Sequence, residues 1–326
     1  MKSVLGGRLA FARRRPCGPI ALIVLCIFGL AWAASVAVAA RPSATGPAVW
    51  VIEAEGESTW IMGTLHQLPR RKGGSPQRVL HFLPWWKGAV RVAMSRSDIY
   101  VQEVVEGNAA AARAIERESS ADDTERLRSY LDEQRYAQVA RALDSIGVTS
   151  TLLERAEPLA ILLVVAFASD PVRDASLMGV ESWLERRAIA ERKQRLGLET
   201  AEDRITAVVS VLDRVEVQRQ AELVVELAEL LSGDDRLGDG FDALYHAWET
   251  GDMDALEAAL IEYAELSPEL HEAFLVARNR LWIGRIEDLI GNRRNELVAV
   301  GIAHLAGPAN LIDMLRERGH VVRRVQ

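Results

Sequence analysis

Cysteine is nearly missing from this chain. Of its 326 residues only Cys17 and Cys26 are cysteines, and both fall within the first 40. The body beyond them therefore has no disulfide framework and no thiolate metal site, so any metal must be held by His, Asp or Glu. Acidic residues are missing from the same 40 positions, which carry Lys2, Arg8, Arg13, Arg14 and Arg15. The formal charge of -7 thus divides into +5 there and -12 over the rest. Nucleic-acid phosphates require a basic surface, so an acidic body argues against DNA or RNA as a partner. No repeat of roughly 20–50 residues is present. No charge run or low-complexity block marks a linker, so one domain is expected after the N-terminal segment.

That segment reads as an address. A basic stretch ending in Arg13-Arg14-Arg15 precedes an uncharged run from Pro16 to Ala40. The run closes on Ala37-Val38-Ala39, a small-x-small pattern that suits signal-peptide cleavage. The expected location is periplasmic or secreted. The run is also long, and ~20 apolar residues can span a bilayer. The alternative is therefore an inner-membrane anchor with the body outside the cytoplasm. Membrane contact is expected only here. The expected division is 1–40 signal or anchor, 41–47 lead-in and 48–326 folded domain.

The body begins with β-type runs, Val49 to Glu53 and Thr59 to Met62, around a polar turn, which predicts a hairpin. Residues 67–78 are basic and rich in Gly and Pro, and read as a loop. Leu83-Pro84-Trp85-Trp86 reads as an aromatic cluster packed at a helix start. Ile99 to Glu103 and Arg195 to Glu199 are short strands, each ending in a carboxylate. Between them Ala109 to Ile146 follows a helical pattern stopped by Gly147, and Pro158 to Ala168 is an apolar helix. Apolar spacing predicts one amphipathic helix over 202–232, broken at Ser232 to Asp235, and another over 252–264. Ser267-Pro268 reads as cap and first residue of a helix running to Ile290. A strand to Val300, a helix from Pro308 to Arg318 and a strand from His320 to Val325 complete the chain. The class is α/β: a mixed sheet built from two related halves, with a large helical insertion.

Two turns stand out. Gly63-Thr64-Leu65-His66 and Gly301-Ile302-Ala303-His304 each follow an apolar strand. Glycine permits turns that a side chain would block, and the ends of strands are where ligands bind in open α/β folds. His66 and His304 are thereby expected to meet. Two imidazoles and a carboxylate can hold Mn, Co, Zn or Fe with positions left open for water. Glu103 is the expected carboxylate, as metal ligand or as base, and Glu199 could share that part. Histidine acting as general base without a metal uses the same residues. Arg278 could orient a carboxylate or offset negative charge in a transition state, and Asn279 stands beside it.

These elements resemble the TraB/GumN family, which is related to the Tiki metalloproteases and more distantly to erythromycin-esterase and ChaN-like proteins. The resemblance rests on Gly63-Thr64-Leu65-His66, Glu103, Gly197-Leu198-Glu199-Thr200, Arg278-Asn279-x-x-Trp282 and Gly301-x-x-His304-Leu305-x-Gly307, in that order. It spans roughly residues 48 to 326. It implies an erythromycin-esterase/Tiki-like sheet wrapped by helices, with a pocket lined by both histidines and a glutamate. In the Tiki branch this is a metal-dependent peptidase. Three departures are visible, the first being a long and unusually basic loop after His66. The second turn more typically reads Gly-Ala-Gly-His-Leu-Pro-Gly, and Glu181 stands where aspartate is more usual. The expectation is an exported metal-dependent hydrolase acting on a peptide or amide bond. The alternative is a non-catalytic periplasmic protein that binds a peptide or cofactor in the same pocket.

Overall fold

The computed structural model describes residues 46–66, 85–105, 126–145, 148, 150–168, 179–232 and 236–326. The N-terminal segment, the basic loop and Gly147 lie outside these residues. Strands β1 (Val49–Ala54) and β2 (Glu57–Thr64) form the expected hairpin. It turns on Glu55 and Gly56, both at positive φ (51° and 94°), the backbone sign that tight hairpins demand. Helix α1 (Gly88–Arg96) leads into β3 (Ile99–Val104). Helices α2 (Glu133–Ser145), α3 (Pro158–Ala168) and α4 (Val180–Ala190) precede β4 (Gln194–Glu199). Next come α5 (Ala201–Leu212), α6 (Val217–Ser232), α7 (Arg236–Thr250), α8 (Met253–Leu266) and α9 (Ala277–Ile290). Strand β5 (Glu296–Gly301), α10 (Leu311–Glu317) and β6 (Arg323–Arg324) end the chain.

The six strands lie in the order β4-β3-β5-β2-β1-β6. The first four are mutually parallel, and β1 is antiparallel to both of its neighbours. Every residue of β5 is buried, as expected of a parallel strand covered on both faces. The two strands that end in Gly-x-x-His lie side by side, in register from Thr59–Glu296 to Thr64–Gly301. All four parallel strands run the same way, so their carboxyl ends form one rim. Among the described residues no helix is long and apolar enough to cross a membrane.

Several expectations need correcting. The helix expected over 202–232 is two, α5 and α6. Gln220 draws the chain back by donating to the Leu212 and Val215 carbonyls, at 2.9 Å each. The described part of 109–146 is likewise interrupted, with a short 3-10 turn, Leu127–Tyr130, before α2. Ser267 precedes Pro268 as expected but does not cap, because its hydroxyl donates to Glu226 instead (3.2 Å). The helix that follows passes through a π turn, Glu272–Val276, before α9. Helix α10 starts at Leu311 rather than Pro308. Gly307 and Ala309 have positive φ, and Asn310 accepts from the Asp313 amide. The last strand shrinks to Arg323–Arg324. Trp85 is buried and packs edge-on against Trp86, Trp183 and Trp248, but α1 begins only at Gly88.

Candidate active site

The reason for the two glycines differs from the expected one. Strand β2 runs through Gly63, which pairs with Val300, and Gly301 has a φ of -51°. Neither makes a left-handed turn. Each leaves room instead. A Cβ on Gly63 would lie 2.3 Å from Ile302 Cδ1. A Cβ on Gly301 would lie 3.2 Å from Glu103 Oε1, 3.6 Å from His66 Nε2 and 3.7 Å from His304 Cδ2. The missing side chain of Gly301 thus marks the point where both histidines and the carboxylate converge. The sheet explains the meeting: β5 lies between β3, which carries Glu103, and β2, which leads into His66.

Beneath that point lies a buried ionic layer. Arg278, on the first turn of α9, donates to Glu103 Oε2 (2.5 Å) and Glu199 Oε1 (2.6 Å). Arg204, on α5, donates to the same two carboxylates at 3.2 and 2.8 Å. The Trp282 indole donates to Glu199 Oε2 (2.9 Å), and the Gly301 amide donates to Glu103 Oε1 (2.8 Å). Two carboxylates and two guanidiniums therefore balance. Burial alone would raise the Glu103 carboxyl, but the neighbouring cations, Arg278 foremost, hold it well below the usual carboxylate range. Arg278 would lose affinity for its proton through burial, but Glu199 and Glu103 raise it further.

His304 is buried, and its two nitrogens are committed. Arg278 Nη1 lies 3.2 Å from Nε2. A guanidinium only donates, so Nε2 accepts and the ring proton sits on Nδ1. That N–H meets Asn279 Oδ1 at 2.7 Å, and the Asn279 amide donates in turn to the Ala309 carbonyl (3.0 Å). Burial is the main reason the His304 pKa is driven well down, and the arginines add to it against Glu103. His304 is neutral, so the arginines keep Glu103 ionised. His66 differs. Its side chain is 27% exposed, and Nδ1 lies 3.3 Å from Glu181 Oε1. Thr64 donates its hydroxyl to the same oxygen. Burial raises the Glu181 carboxyl, with His66 and Thr64 opposing.

The structure thus brings together His66, Glu103, His304, Glu199, Arg278, Asn279, Gly301 and, through Glu181, Thr64. Gly63 lies one step back, its carbonyl accepting from the Trp248 indole (2.9 Å). Arg204 and Glu181 are the additions. Arg204 was legible in part: Thr200-x-x-Asp203 forms a capping box at the start of α5, which puts Arg204 one turn beyond Glu199. The fit to a divalent metal is incomplete. His66 Nε2 and Glu103 Oε1 face the shared space, but the lone pair of His304 Nε2 is given to Arg278. Among the described residues no group of three His, Cys, Asp or Glu side chains stands ready to hold a metal ion.

None of the curated proteins or solved structures compared with the chain matches it. A family model does, and its span covers the hairpin, the helical middle and both Gly-x-x-His turns. The chain belongs to the TraB/PrgY/gumN family, whose model matches residues 48–324.

Proposed function

We propose that the protein is an exported hydrolase that cleaves a peptide or amide bond at the rim formed by the four parallel strands. The observation that carries this reading is the convergence of His66 Nε2, Glu103 Oε1 and His304 around the bare Cα of Gly301. Clustered His and Glu beside an ionic layer are the usual parts of acid–base chemistry. A water held against Glu103 Oε1 and His66 Nε2 would give its proton to His66 as its oxygen attacks the carbonyl carbon. His66 would then pass that proton to the leaving nitrogen as the tetrahedral adduct collapses and the C–N bond breaks, giving a carboxylic acid and an amine. His66 suits that part because its Nε2 faces the shared space and its side chain is partly exposed, while His304 is buried and committed to Arg278 and Asn279. Arg278 and Arg204 keep Glu103 ionised and fixed in place, so that its oxygen can orient the water.

A divalent ion (Mn, Co, Zn or Fe) would, if held there, acidify a bound water and polarise the carbonyl. The donors His66 and Glu103 suit it. His304 would join them only if Arg278 gave up its contact, so the steps above use the chain's own groups. A second reading is a periplasmic protein that sequesters a peptide or cofactor without turnover. It is favoured by the mutual neutralisation of Glu103, Glu199, Arg278 and Arg204, which gives a pocket floor with no net charge.

The test is hydrolysis of a peptide library by the wild type, His66→Ala and His304→Ala, with and without added Mn or Co. Elemental analysis of the purified protein accompanies it. Loss of turnover in both variants supports the hydrolase. Equal activity in all three refutes it, and a co-purifying ligand without turnover selects the second reading.

A further inference from the structure

The start of α4 is held against the turn that carries His66. A Cβ on Gly179, which precedes α4, would lie 2.3 Å from the His66 carbonyl oxygen and 2.7 Å from that of Leu65. Only glycine allows this approach. The next amide, Val180 N, donates to the Leu65 carbonyl (2.9 Å). The residue after that is Glu181, whose Oε1 faces His66 Nδ1 and accepts the Thr64 hydroxyl. Thr64 is the last residue of β2, so strand, turn and helix all fix one carboxylate oxygen against one imidazole edge. The opposite edge of the ring, Nε2, looks into the space beside Gly301 and Glu103.

We propose that Glu181, backed by Thr64 and pinned through Gly179, is a positioning residue that fixes the tautomer of His66. Nδ1 carries the hydrogen and points at Glu181; Nε2 keeps its lone pair and points at the centre. The partner on one imidazole nitrogen decides which form the other takes. A carboxylate oxygen that already accepts a hydroxyl has only lone pairs to offer Nδ1. The two histidines then share one tautomer but use it differently. His304 spends its Nε2 lone pair on Arg278, and His66 keeps its own free for a substrate water. The purpose assigned to this lone pair rests on the hydrolase reading, but the tautomer is measurable without turnover.

The experiment is nitrogen NMR of the full chain with 15N-labelled histidine, with His66 assigned by His66→Ala. The wild type should show an N–H type signal at Nδ1 and a lone-pair type signal at Nε2. Glu181→Gln should keep this pattern, because its amide oxygen still accepts. Glu181→Leu should lose the pure Nδ1–H signal, while the His304 signals stay in place and report an intact fold. A wild type protonated at Nε2, or Glu181→Leu with His66 unchanged, overturns the proposal. If Glu181→Leu fails to fold, the wild-type and Glu181→Gln spectra decide alone. An inactive protein whose His66 still shows the Nδ1–H form refutes the hydrolase reading and leaves the positioning role standing.

Discussion

Arg278→Met removes the cation at the middle of the ionic layer and keeps most of its length. In the wild type this guanidinium bonds Glu103, Glu199, the Phe274 carbonyl and His304 Nε2. Arg204 remains in the variant, but one cation then faces two buried carboxylates. Breaking a buried pair from one side costs about 3–5 kcal/mol. At about 2 °C per kcal/mol for a domain of this size, the expected fall in Tm is about 6–10 °C. The loss should depend on pH. In the wild type the Glu103 pKa is depressed, so its contribution is present above the unfolded carboxylate value and fades only as pH falls toward the folded value. Without Arg278, burial is less opposed and Glu103 takes up a proton at higher pH. Acid therefore relieves the variant first, and the gap to wild type should narrow from pH 7 to pH 4.5. Thermal melts followed by far-UV circular dichroism across that range measure it. A fall below about 1 kcal/mol, the size of an exposed ion pair, or a gap independent of pH, would refute the reasoning.

Two further expectations are separable from this one. Gly301→Ala meets no backbone obstacle at a φ of -51°, so its stability should stay within about 1 kcal/mol of wild type by chemical denaturation. Turnover should nonetheless collapse, because the new methyl lies 3.2 Å from Glu103 Oε1 and takes the place of the water; undiminished turnover would count against the proposed centre. His304 has a folded pKa depressed below the ordinary value of about 6.5, so the unfolded chain takes up a proton first on acidification. Stability should therefore begin to fall as pH drops below about 6.5, and His304→Gln should remove that upper step; a step unchanged in the variant would assign it elsewhere.

How far the site was legible depended on the kind of fact required. His66, Glu103, Glu199 and His304 are legible because each sits at or just beyond the end of a strand, and short β-type runs mark those ends. Arg278 is legible as a permanent charge able to face a carboxylate, but nothing in a helical pattern shows that it turns inward onto Glu103 and Glu199. The sheet order was hidden. Insertion of β5 between β3 and β2 brings Glu103 to both histidines, and no local pattern encodes which strand lies beside which. Glu181 was visible as a departure from the family, but its contact with His66 depends on the packing of α4. The two glycines make room rather than bends, a difference that a Gly-x-x-His pattern does not encode. Across 202–232 the apolar spacing continues through the break between α5 and α6, where Gln220 bonds back to the Leu212 and Val215 carbonyls.

The pairing of β2 with β5 joins residues 237 positions apart, as the Thr59–Glu296 hydrogen bond records. Contacts so distant along a chain form late and slowly, since a long loop must close before they repay it. A polypeptide that still lacks β5 holds His66 and Glu103 but not the strand between theirs that brings them together. The convergence around Gly301 is therefore absent until β5 has been delivered, so the site is a property of the finished sheet and of no shorter segment.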